Sequence, residues 1–304
     1  MNLARSVAQM KSTSVTAAIH SNSGRPFDYV SLVKPRSIMP HLLTAASAML
    51  AVAGRSLSGS ILLLTLLGGA LVAAAANTFN SYLDRDIDAV MARTGHRPLP
   101  DGRLRPIQAL AFGTALGLAG IGILGRLVSW WAAGLAALAL VYYVLPYTLW
   151  LKRRTYWSTI VCSGIGAVPP LVGSVAATGR IELPAVILSA VVVFWTMPHF
   201  WSFGIFRRRD YERAGVRLIS DSTAASWTVI FAVPVVAMTV LLAPVAHMGP
   251  IYLPVAASLA LGLLAFAVRL LRKMNHSTAR QFYVYSIVYL VAVFGAIITD
   301  RLIR

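Results

Sequence analysis

The residue order predicts an all-α polytopic membrane protein with nine transmembrane helices, and three observations predict it. Of 304 residues, 58% are hydrophobic and only 12% are charged, against about 25% charged in soluble domains. Nine apolar runs, at about 36–54, 58–80, 106–125, 127–147, 157–178, 183–203, 223–246, 250–271 and 282–300, approach the roughly 20 residues that one bilayer crossing needs. The basic residues alternate between the two ends of such a bundle: of 27 Lys and Arg, all but Arg55, Arg126, Arg180, Arg301 and Arg304 fall at one end. Positive-inside bias makes that end cytoplasmic, so the N-terminus is expected in the cytoplasm and the C-terminus outside. Strands of an outer-membrane barrel would alternate in polarity and be about half as long. A net charge of +17 invites a nucleic-acid reading, but these cations border spans instead of forming a soluble basic face, so no nucleic-acid partner is expected and the lipid bilayer is.

Residues 1–27 contain no acid and no apolar run, and are read as a flexible N-terminal tail, neither signal peptide nor span. Residues 28–304 form one domain. The expected location is the bacterial inner membrane, or the mitochondrial inner membrane in a eukaryote.

The second span carries the chief signal. After the apolar stretch from Ile61 to Ala76, Asn77, Asn80, Asp84 and Asp88 fall within an arc of about 80° at the helical repeat of about 100° per residue. Asp86 points the opposite way, as a solvated acid would. A carboxylate at hydrocarbon depth costs about 2.5–3.5 kcal/mol, so two on one face call for a compensating cation. Mg²⁺ holding a polyphosphate fits, since it takes one or two carboxylates and completes its shell with phosphate oxygens and water. The plainer alternative is a polar loop that happens to carry acids.

In the loop that follows, Pro98 and Pro100 stop any helix and Gly95 and Gly102 permit turns. Arg93, Arg97 and Arg103 are therefore expected to fold back over the acid face, where guanidinium forks suit a diphosphate. The fourth span closes on Lys152-Arg153-Arg154-Thr155, with Lys152 and Arg153 within reach of the same anion or anchoring the helix end at the headgroups. Pro169-Pro170 breaks the fifth span, a feature tolerated where a helix lines a cavity. Cys162, in that span, is read as a packing residue.

The sixth span ends in Trp195, Pro198, His199 and Trp201. Ring faces there would steady a cation formed inside the membrane, and His199 is read as an acid, a base or an acceptor contact, or as a hydrogen-bonded structural residue. Beyond it, Asp210, Arg213, Ala214 and Arg217 share a face if the segment is helical, with Glu212 turned away. All ten acids but Glu182 and Asp300 lie at the basic end, although acids contribute little to orientation. The chemistry is expected there.

Five stretches carry a resemblance: Asn80-x-x-x-Asp84-x-x-x-Asp88 with Arg93-Thr94-x-x-Arg97-Pro98-Leu99-Pro100; Tyr147-Thr148 with Lys152-Arg153-Arg154-Thr155; Pro169-Pro170-Leu171-Val172-Gly173; Pro198-His199-Phe200-Trp201; and Asp210-Tyr211-x-x-Ala214-Gly215. In this order they resemble the UbiA-type intramembrane prenyltransferase superfamily, and within it the branch that farnesylates protoheme IX. The resemblance implies nine helices around a central cavity open to lipid, Mg²⁺-dependent ionisation of farnesyl diphosphate, and attack of a haem vinyl group on the farnesyl cation. It implies Asp84 and Asp88 as metal ligands, Asn80 as a diphosphate or metal contact, and Arg97, Lys152 and Asp210 on the diphosphate side. The residues themselves add Asp210 as holder of a second metal ion or orienter of an arginine, Arg93, Arg153 and Arg213 on the diphosphate, and His199, Trp195 and Trp201 at the acceptor. Asn80, Asp84, Asp88 and Asp210 are expected to be catalytic, and contact with the assembly of a haem-using respiratory oxidase is expected. The chain departs from the pattern at Ser158 and at Val216-Arg217-Leu218, on the acceptor side. Transfer to a quinone precursor or another aromatic, cyclisation of the prenyl chain, and non-catalytic carriage of a phosphorylated lipid are the alternatives the residues leave open.

Overall fold

The computed structural model describes residues 25–213 and 215–303; residues 1–24 of the expected tail, and Ala214, lie outside them. Helix α1, Pro26–Val33, leads into α2, Pro35–Ala53, which a 3₁₀ turn at Gly54–Ser56 closes. Next come α3 (Gly59–Leu83), the short α4 (Arg85–Val90), α5 (Pro106–Leu127) and α6 (Trp130–Tyr142), which continues as a π-helix over Tyr143–Leu151. The chain goes on through α7 (Ser158–Gly166), α8 (Val168–Thr178), α9 (Leu183–Phe206), α10 (Arg208–Arg213), α11 (Asp221–Val245), α12 (Tyr252–Lys273) and α13 (His276–Ile303). Among the described residues these supply nine candidate spans, each 21 to 28 residues long, and no strand.

The fifth span divides at Ala167, directly ahead of the proline pair, into α7 and α8. A proline one or two positions into a helix loses nothing, because those N–H groups have no intrahelical partner anyway. Helix α9 runs through Pro198 unbroken, as is tolerated where neighbouring helices pack around the freed backbone groups. The last span begins at His276, several residues before its apolar run, because the Asn275 side chain accepts from Thr278 N and caps the helix.

Large apolar side chains such as Leu63, Leu118, Leu138, Ile230 and Leu261 face outward, where lipid takes the place of a protein neighbour. Helices therefore gain from close contact of small residues more than from burial of large ones. On α5, Gly113, Gly117 and Gly120 are buried, and a Cβ on Gly120 would meet the carbonyl oxygen of Gly68 on α3 at 2.7 Å. Gly173 on α8 approaches Ala45 O on α2 as closely, at 2.6 Å. The largest core joins α9, α11, α12 and α13 with Ala48 and Ala51 of α2; a second joins α3, α5, α6 and α8. At the end that is poor in basic residues, Trp130 and Trp131 are 72% and 77% exposed, as expected of rings at a membrane interface. The loop joining α3 to α5 and the one joining α9 to α11 both lie at the opposite, basic end.

Candidate active site

At Asp84 the second span stops being regular. Helix α3 ends at Leu83, Asp84 takes φ −90°, ψ 6°, and α4 begins at Arg85. The single continuous helix face expected from the sequence is therefore bent at its central acid, in the sparsely allowed region where active-site residues often sit. Helical hydrogen bonds persist across the bend, with Asp84 N donating to Asn80 O at 2.9 Å and Asp88 N to Asp84 O at 2.7 Å, so Asn80, Asp84 and Asp88 all still point into the protein. They are 7%, 2% and 5% exposed.

Each is held by a cation or an amide. Lys152 Nζ donates to Asp84 Oδ2 at 2.5 Å, and Asn80 Nδ2 donates to the same oxygen at 2.7 Å. Arg97 Nη1 donates to Asp88 Oδ2 at 2.7 Å. The turn that delivers Arg97 is pinned by Thr94 Oγ1 donating to Asp88 O at 2.9 Å. Lys152 reaches Asp84 because the fourth span ends as a π-helix, in which Lys152 N donates to Tyr147 O. Such widened turns re-aim side chains and recur at functional sites. The same turn brings the buried Thr148 to within 3.4 Å of Asn80 Nδ2.

Lys34 completes the site, and sequence reasoning counted it only as a topology cation. It joins α1 to α2 with φ 54°, ψ 63°, a left-handed conformation uncommon outside glycine, and its Nζ donates to Asn80 Oδ1 at 2.9 Å. Since an ammonium only donates, this contact fixes the Asn80 amide with its NH₂ toward Asp84. Burial, aided by Arg97 and Lys152 and opposed by Asp88 and Asp84, brings the Lys34 ammonium down to about 7. The one sequence signal was a lysine-proline pair just ahead of an apolar span.

Three basic groups, Lys34, Arg97 and Lys152, thus gather around two carboxylates, a balance of charge that favours a bound anion. Asp84 Oδ1 is buried with no hydrogen-bond partner. A charged oxygen rarely stays so without a ligand, since orphaning it costs about 1–3 kcal/mol or more. It fits a divalent cation shared with Asp88.

The remaining candidates divide. Arg93 is exposed, with Cζ 6.0 Å from the Phe203 ring centre. Burial pushes the neighbouring Tyr211 hydroxyl up to about 12, with Arg93 opposing. Arg153 instead forms a two-pronged pair with the exposed Asp86, both at 2.7 Å, and donates to Leu83 O. Hydrogen bonds from Arg153, ahead of an opposing burial effect, hold the Asp86 carboxyl down to about 2. Arg103 pairs with Asp28 and Asp101 and not with the acid face. Asp210 stands on α10, 3.8 Å from Arg207, and among the described residues no three acidic, histidine or cysteine groups gather at one point. Helix α10 ends at Arg213, an exposed residue, so Arg217 lies beyond it in the loop. Trp195 and His199 stack on each other, centroids 4.4 Å apart, and face α13. Trp201 faces the other way, against Trp227 and Phe231 of α11.

Residues 41–293 match the UbiA prenyltransferase family. A protoheme IX farnesyltransferase of Gloeobacter violaceus is 40% identical over 280 residues, which cover 90% of this chain and 92% of that protein. Among solved structures, one of digeranylgeranylglyceryl phosphate synthase in membranes superposes with a TM-score of 0.77 at 18% identity, covering 91% of this chain and 98% of that one. A UbiA homolog from Archaeoglobus fulgidus bound to GPP and Mg²⁺ superposes with a TM-score of 0.63 at 15% identity, covering 89% and 99%. At these identities the two structures speak for the fold.

Proposed function

The chain belongs to the UbiA prenyltransferase family, a multi-pass membrane prenyltransferase, and from that premise we propose that it transfers the farnesyl group of farnesyl diphosphate to a vinyl group of protoheme IX. The buried, unpartnered Oδ1 of Asp84, two atoms from a lysine-held Oδ2, is the observation that carries the reading.

Asp84 and Asp88 would hold Mg²⁺, the ion bound with GPP in the UbiA homolog from Archaeoglobus fulgidus, and an ion there would neutralise charge that develops on the departing diphosphate. Lys152, Arg97 and Lys34 supply donors to the diphosphate oxygens, and Arg93 does so from the far wall. Asn80, locked by Lys34, keeps Asp84 oriented. Asp210 and Arg213 belong to the second loop over the same anion, and Arg153 steadies the α3–α4 bend from outside. Past Arg93 lies Phe203, packed on Tyr283, and aromatic faces there would stabilise an allylic cation and exclude water until the acceptor is in place. The allylic C–O bond breaks, a bond forms to the terminal vinyl carbon, and a water oxygen closes the resulting benzylic cation while its proton leaves to solvent. In this reading the basic end faces the cytoplasm of a bacterial inner membrane, and the haem product passes to oxidase assembly.

Purified protein given farnesyl diphosphate, protohaem and Mg²⁺ should form a haem heavier by one farnesyl and one hydroxyl group, read by mass spectrometry. Consumption of the prenyl donor with haem left unchanged would point to another acceptor and remove the proposal.

A further inference from the structure

His199 is held more completely than a packing residue needs. Its two ring faces are covered by Trp195, at 4.4 Å and 18°, and by Tyr283, at 4.6 Å and 25°. Its Nδ1 lies 2.8 Å from Ser286 Oγ on α13, and Ser286 is 1% exposed. The Ser286 backbone carbonyl meanwhile accepts from Trp195 Nε1 at 2.8 Å, so one residue fixes both stacked rings.

The Ser286 hydroxyl also lies 2.7 Å from Tyr283 O, a carbonyl that only accepts. With its single hydrogen given to that carbonyl, Ser286 Oγ accepts from His199, and the ring hydrogen sits on Nδ1. In the neutral imidazole Nε2 then keeps its lone pair. With both faces stacked and the Nδ1 edge occupied, only the Nε2 edge remains to meet a ligand. A histidine whose Nδ1–H is fixed by an oxygen acceptor is the form in which imidazole binds a metal. The site lies close to the chemistry, because Tyr283 also packs on Phe203, at 5.0 Å, and Phe203 sits beneath Arg93.

We propose that Ser286 is a positioning residue that locks His199 as the Nδ1–H tautomer, so that His199 Nε2 binds the iron of the acceptor haem axially and seats the macrocycle for prenylation. This rests on the haem-acceptor reading above. Ligation would set the distance and tilt of the macrocycle from a rigid ring stack, while the diphosphate is held independently at the acid site.

The test is a titration of the full-length protein in detergent with ferric protohaem, followed by absorption and electron paramagnetic resonance. Wild-type protein should give a nitrogen-ligated iron spectrum. His199→Ala should lose that signature while eluting and unfolding thermally as the wild type does, which shows that the variant is folded. Ser286→Ala keeps the ligand but not its tautomer, and should bind haem about tenfold or more weakly, the usual range when the hydrogen-bond partner of a metal-binding histidine is removed. A His199→Ala protein with an unaltered spectrum overturns the ligation, and a Ser286→Ala protein with unaltered affinity and spectrum overturns the positioning role. Wild-type protein that binds no haem yet transfers farnesyl to a different acceptor overturns the acceptor reading itself.

Discussion

Replacing Asp84 by Asn tests the site at its centre, because the change conserves shape and removes only charge. The carboxamide has two orientations. With its NH₂ at the Oδ2 position it would face Lys152 Nζ and Asn80 Nδ2, both of which donate to that oxygen. With its NH₂ at the Oδ1 position, those two contacts survive with a neutral acceptor, and two N–H bonds point to where the structure leaves a bare oxygen. The second orientation is the better folded one, forfeiting the charge-assisted part of its bonds, about 1–1.5 kcal/mol each. Catalytically it is the worse one, since it turns a donor toward the position of a cation. If the site loses about 3–5 kcal/mol of charge stabilisation, within the several kcal/mol a bound ion supplies, the rate falls by about two to nearly four powers of ten at about 1.36 kcal/mol per tenfold. Pyrophosphate release at graded Mg²⁺ concentration, run beside thermal unfolding in the same detergent, separates the two effects. A variant that turns over within twofold of wild type at an unchanged Mg²⁺ midpoint would refute the assignment of Asp84 to the ion.

Three further perturbations reach other parts of the argument. Gly173→Ala places a methyl group 2.6 Å from Ala45 O and 3.1 Å from Met49 Cγ; α8 must move off α2, and thermal unfolding should report a loss of about 1–3 kcal/mol. Asp300, which is 2% exposed, accepts from the backbone N–H groups of Gly249, Ile251 and Tyr252, so Asp300→Ala should cost about 3 kcal/mol or more of stability through orphaned donors, with the KM for the prenyl donor unchanged. The carboxyl group of Asp86, held down to about 2 by Arg153, has a folded value below its unfolded one. Its contribution is complete above about pH 4 and is lost as pH falls through about 2, so the melting difference between wild type and Asp86→Asn should shrink over that interval and stay flat from pH 5 to 7.

The sequence by itself determined the membrane bundle, the nine candidate spans among the described residues and the end at which the buried acids gather. Those follow from one-dimensional quantities: the length of apolar runs, the alternation of cations and the helical repeat that sets Asn80, Asp84 and Asp88 on one side with Asp86 opposite. The pairs that define the site are not one-dimensional. Lys34 reached Asn80 only because a left-handed residue turns the chain between α1 and α2, and Lys152 reached Asp84 only because the fourth span widens into a π-helix; neither turn has a periodic signature. Arg97 and Arg153 look alike in sequence, yet one meets a buried acid and the other an exposed one. Trp195 and Trp201 are six residues apart, and packing on α13 against α11 alone separates their roles. Ser286, far from every motif, was invisible until folding set it beside His199, because a hydrogen bond's direction depends on which donors and acceptors tertiary structure brings together.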